Sequence, residues 1–346
     1  MDSRTTTHAI NQPKKHRSLA KILVLGVGLP MLFVAYCAIA GMMNVGTLQW
    51  FMDKFRAANY NASPEISAMV EKSGMNSRGE FYFYAGEPSL DSAEQFNINC
   101  AELLNEESNV LGCYDGKIYL FDVTDERIKG VKNVSAAHEM LHVAYDRLGI
   151  LDKIYVDGLI EQELARTNDS NILGLVELYA NLEPGQEINE LHSIFGTESA
   201  DLSAELEEYY TRYFGDRSKV VTENKSYTAV FEELEAQAEE TQAKMLNLES
   251  EINTLQNQYL LDKNQLAIDI DKFNEKANIA NSFASEAVFY AERSRLLARQ
   301  NALADQVEVM NTKIDEYNSY VEDLQALGKD VEALSNNLNS QSEIIE

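Results

Sequence analysis

The residues with the clearest chemical potential lie together in Ser135-Ala136-Ala137-His138-Glu139-Met140-Leu141-His142. Two histidines four positions apart on a helix project from one face, so both imidazoles can reach a single metal ion. Glu139 stands about 100° around that helix, close enough to touch a metal-bound water without displacing it. Zinc lowers the pKa of such a water towards neutrality, and the carboxylate takes its proton as general base during attack on a peptide carbonyl. Ala137, Leu141, Ala144, Tyr145 and Leu148 form an apolar stripe that predicts a core-facing helix over residues 135–148, capped by Ser135. The bland alternative is a surface pair of histidines with an intrahelical ion pair. Scarcity argues against it: of five histidines only His138, His142 and His192 follow residue 16, and two of the three fall at ligand spacing.

A third ligand is expected further along. In Asn189-Glu190-Leu191-His192-Ser193-Ile194-Phe195-Gly196, the apolar Ile188, Leu191, Ile194 and Phe195 turn a helix inward, and Glu190 borders the buried stripe. A carboxylate there needs a compensating charge, which zinc supplies. Glu198 and Glu187 are the first alternatives, followed by Asp146 and His192. The metzincin pattern is excluded, because Tyr145 and Leu148 stand where it requires Gly and His.

H-E-x-x-H followed by a Glu on a downstream helix resembles the gluzincin metallopeptidases, and residues 117–198 carry the resemblance. Asn189, Glu190 and Ser193 match the Asn-Glu-x-x-Ser signature of some members, whereas Ile194 replaces the Asp that follows it. The resemblance implies that zinc is held by His138, His142 and Glu190 and that Glu139 is the catalytic base. It further implies that a downstream His or Tyr stabilises the oxyanion: His192, with Tyr209, Tyr210 and Tyr213 as rivals. It also implies that strand 117–123 pairs with an extended peptide substrate.

The elements that must position these groups read as α+β. Phe81-Tyr82-Phe83-Tyr84 and Lys117–Val123 are aromatic and β-branched runs bounded by Gly, hence predicted strands, the second preceded by the turn Tyr114-Asp115-Gly116-Lys117. After Gly130 the pattern is helical over 135–148, 152–167, 170–182 and 186–195. Residues 48–75 read as a helix pair, the second starting at Ser63-Pro64-Glu65 and stopping at Gly74. From residue 222 onwards there is no Pro, and apolar residues recur in heptads from Phe231 to Phe273 and from Leu303 to Leu338. The interruption at 274–283 predicts an antiparallel helical coiled-coil hairpin over 222–346, with each arm on the order of 75 Å long; one continuous dimerising helix is the alternative. Cutting after residue 221 is expected to leave a metal-loaded domain, with the arm free to bind a protein partner.

The net charge of −27 excludes nucleic acid as a partner. Residues 1–21 carry Arg4, Lys14, Lys15, Arg17 and Lys21 against Asp2, so the rest of the chain carries −31. From 19 to 43 the only charge is Lys21, and the apolar run Ile22–Ala40 fits the ~20 residues of a transmembrane helix, while Lys14, Lys15, Arg17 and Lys21 would keep the basic tail 1–18 cytoplasmic. A cleaved signal peptide, with Ala38-Ile39-Ala40 as the processing site, is the rival. Cys100 and Cys113, with twelve residues between them, are expected to form a disulfide. The composite expectation is a single-pass membrane protein with an extracytoplasmic zinc peptidase domain over 48–221, acting on a protein or peptide. A non-enzymatic interaction protein and a zinc amidase cutting cell-wall crosslinks are the alternatives.

Overall fold

The computed structural model describes residues 48–101, 110–169, 172–176 and 185–341. Two units divide the chain at Tyr60. In the first, residues 48–59 (α1) are helical, with Gln49 Nε2 donating to Asp53 one turn on.

The second unit begins with α2 (Pro64–Lys72). Its start is the expected one, with Ser63 Oγ accepting from Ile66 N and Pro64 in the first turn, where its missing N–H costs nothing. Then follow α3 (Ser77–Ala85), β1 (Ser89–Asp91), α4 (Ala93–Asn99), β2 (Gly112–Tyr114) and β3 (Ile118–Phe121). Next come α5 (Val131–Asp146), α6 (Ile150–Arg166), a short helix α7 at 172–176, α8 (Glu187–Thr197) and α9 (Ala204–Tyr210). Two long helices complete it, α10 (Ser218–Ala277) and α11 (Glu286–Leu338).

The α+β expectation is corrected: helices dominate, and the strands are three, three and four residues long. Phe81–Tyr84, expected as a strand, lies inside α3. Asn76 caps that helix by accepting from the N–H groups of Arg78 and Gly79, and Phe83 and Ala85 are fully buried. Capping and tertiary burial outweigh the β-preference of four aromatics. Against the expected transmembrane anchor and single-pass membrane placement stands the finding that no helix among the described residues is long and apolar enough to cross a membrane. Residues 19–43, on which that expectation fell, lie outside the described residues.

The sheet has the order β1-β3-β2, β3 pairing parallel with β1 and antiparallel with β2. Helix α5 packs against this sheet, α3 and α8 and is apolar almost all round; Ala136, Ala137, Met140, Leu141, Val143 and Ala144 are buried. Such a helix belongs at the centre of a core. It begins at Val131, four residues earlier than expected, with Gly130 rather than Ser135 at the cap position and Ser135 in its second turn. The Cys100–Cys113 disulfide joins the end of α4 to β2.

Helices α10 and α11 form an antiparallel hairpin, tied across by Lys276–Glu292 at 2.7 Å, Asp269–Arg299 at 2.6 Å and Glu251–Lys313 at 2.5 Å. Phe273, Phe283 and Phe289 cluster at its tip, where Ser285 caps α11. Its root is not separate from the rest. Leu334 and Leu338 of α11 join a cluster containing Phe96, Cys100, Cys113, Phe121, Val123, Ile128 and Val131, with Tyr227, Val230, Phe231 and Leu234 of α10 packed alongside. Arg127–Asp330 and Asn97–Ser340 add polar ties at the same place.

Candidate metal centre

His138 and His142 lie one helical turn apart on α5, with ring centroids separated by 4.8 Å. Glu190 enters from α8, which crosses beside them: its Oε2 is 3.4 Å from His138 Nε2 and its Oε1 is 3.3 Å from His142 Nε2. All three donor groups offer an atom within 4.8 Å of the others, so the group can hold a metal ion. Four ligands bound tetrahedrally at about 2.0–2.1 Å stand about 3.3 Å from one another. The two His–Glu separations match that spacing, so the donor set fits such an ion.

Electrostatics agree with three groups converged on one point. Burial would lower the His142 pKa, but the carboxylate of Glu190, with Glu139 beyond it, raises it to about 9. Burial would raise Glu190, yet the two imidazoles beside it hold it far below the usual carboxylate range. In the metal-free protein, then, His142 is protonated and Glu190 ionised at neutral pH. A group whose folded pKa is raised contributes stability below its unfolded value, and loses it as pH rises through about 9. A metal can take the imidazole only after its proton leaves. Metal uptake at pH 7 should therefore release about one proton, and affinity should climb as pH rises towards 9. Titration calorimetry in buffers of different ionisation enthalpy measures this directly. Uptake with no buffer dependence would show that His142 is not displaced from its proton.

Among the described residues, His138, His142 and Glu190 are the group assembled at metal-binding distance, and the alternatives are elsewhere. The Glu187 carboxylate accepts from Gly185 N. Asp146 is half exposed beside Arg147. Glu198, at the end of α8, feels His138, but burial raises its pKa. His192 is fully buried behind the site, its Nε2 2.9 Å from Tyr209 Oη, and its Nδ1 has no partner. Burial and the nearby imidazoles lower its pKa to about 3, so the ring is neutral at pH 7. Tyr209 and Tyr213 continue the same buried chain, and Tyr210 Oη donates to the His192 carbonyl, fixing α8. Ser193 and Ile194 are likewise buried in the core, and Ser193 Oγ makes no hydrogen bond.

Glu139 is only 5% exposed. It faces β2, where Gly112 stands against its side chain. Strand β3, expected to pair with substrate, is flanked on both sides, so β2 is the outer strand that stands against Glu139. Sequence reasoning missed Gly112, because no periodicity or spacing marks a single glycine in a three-residue strand. No protein-family model, curated protein or solved structure matches this chain.

Proposed function

We propose that the chain is a zinc-dependent peptidase in which His138, His142 and Glu190 hold the metal and Glu139 is the general base. One observation carries this: three groups stand at metal-binding distance while a second, non-ligating carboxylate sits on the same helix next to the first histidine. A metal that only stabilised the fold would need no such neighbour. When bound, zinc would polarise the scissile carbonyl and acidify the attacking water.

The remaining steps belong to the chain. The peptide lies extended beside β2, the outer strand of the described sheet next to Glu139. Glu139 accepts the proton of the attacking water and returns it to the departing amine. Glu190 balances the positive charge of the ion and fixes the two imidazoles, while Tyr145, hydrogen-bonded to Asp157 at 2.7 Å, packs the end of α5 against α6.

The test is a metal analysis of the purified protein beside casein digestion, with and without a chelator. About one zinc per chain and cleavage that the chelator abolishes and added zinc restores are expected. Metal bound with no hydrolysis of casein or of a mixed peptide library would overturn the peptidase reading.

A further inference from the structure

A backbone stands close against the candidate base at Gly112. A Cβ built on this residue would lie 2.6 Å from Glu139 Oε1, 2.9 Å from its Cγ and 3.1 Å from its Cδ. All three nearest atoms belong to one side chain. The glycine is not there for its backbone freedom, because Gly112 is not among the residues at positive φ. An alanine would be conformationally acceptable and would fail only on space.

The strand cannot retreat. Gly112 is in register with Leu120 of β3, Phe121 N donates to the Leu111 carbonyl at 3.0 Å, and Cys113 is disulfide-bonded to Cys100. The opposing helix cannot retreat either, since Ala136 and Ala137 before Glu139 and Met140, Leu141 and Val143 after it are fully buried. Glu139 itself has almost no solvent to swing into. The backbone of β2 therefore acts as a wall that limits where this carboxylate can point.

We infer that Gly112 is a positioning residue: its missing side chain sets the place from which Glu139 takes a proton. This rests on the peptidase reading above. A bland role, in which Gly112 merely lets strand and helix pack closely, predicts a different pattern of effects. The two are separated by a double-mutant cycle, which isolates coupling between neighbours.

Gly112→Ala in the full chain should lower kcat on casein by about 10²-fold, the scale of a 1 Å misplacement of a catalytic group. KM and zinc content should stay near wild type. If the residue acts through Glu139, the double variant Gly112→Ala/Glu139→Gln should be no slower than Glu139→Gln alone. Unchanged kcat in Gly112→Ala, or losses that multiply in the double variant, would overturn the inference. A fold-level readout covers the case in which the alanine destabilises the protein. Any fall in Tm caused by Gly112→Ala should then be recovered by adding Glu139→Ala, which removes the three overlapping atoms; no recovery would also overturn it. The underlying reading fails differently: wild-type cleavage that Glu139→Gln does not diminish would sink the peptidase, whereas the Tm recovery would still stand.

Discussion

Glu139→Gln should lower the rate of casein cleavage by at least about 10²-fold while the protein keeps its metal. The magnitude is that of removing a general base, which contributes typically 10²–10⁴-fold. The amide matches the carboxylate in size, so it can occupy the same narrow space against Gly112. It cannot accept the proton. Zinc should remain, because the three groups assembled at ligand distance are His138, His142 and Glu190, without Glu139. His138→Ala and His142→Ala should behave oppositely and lose the metal, each removing a ligand whose Nε2 lies 3.4 or 3.3 Å from Glu190. The comparison is decisive because the two classes of variant are predicted to separate occupancy from turnover. Wild-type activity in Glu139→Gln would mean that the reading of this carboxylate is wrong.

Local features of this centre were legible in the sequence, and those set by tertiary packing were not. The His138–His142 pair depends only on helical spacing, which residue order fixes. Glu190 could be picked out because its neighbours Leu191, Ile194 and Phe195 mark which side of α8 is buried. The hairpin was legible for a similar reason, since heptads report their own partner. By contrast, Phe81–Tyr84 has the composition of a strand, and only the Asn76 cap and the buried seat of Phe83 make it a helix. The place of β3 in the middle of its sheet depends on β1 and β2, which are too short to show a period. The burial of His192 follows from Tyr209 and Tyr210 arriving from another helix. A one-dimensional pattern does not contain that contact.

The second large effect concerns the root of the hairpin. Heptad seams that bury their own apolar residues suggested that residues 222–346 could be removed without harm. The packing argues the reverse. Leu334 is fully buried and Leu338 nearly so, and they share a cluster with the disulfide, Phe121 of β3 and Val131, the first residue of the helix that carries both histidines. Helix α10 also runs unbroken through residue 221, so a cut there severs its first turn from Tyr227, Val230 and Phe231, which cover the same cluster. Exposing a buried Leu costs about 1.5–3 kcal/mol, and several such losses together rival the 5–15 kcal/mol that holds a typical domain folded. The chain truncated after residue 221 should therefore fail to melt cooperatively and should not retain zinc. Leu334→Ala in the full chain should cost about 2–5 kcal/mol, read from a denaturant midpoint. Shortening the hairpin at its far end should be nearly neutral, because Phe273, Phe283 and Phe289 at the tip pack on one another, away from the root cluster. If the truncated chain instead melts sharply near the full-length temperature with its metal bound, the root cluster adds little and the arm is an appendage. If it unfolds as expected, the hairpin is a structural part of the metal domain, joined to the helix bearing His138 and His142 by the cluster that holds Leu334 and Val131.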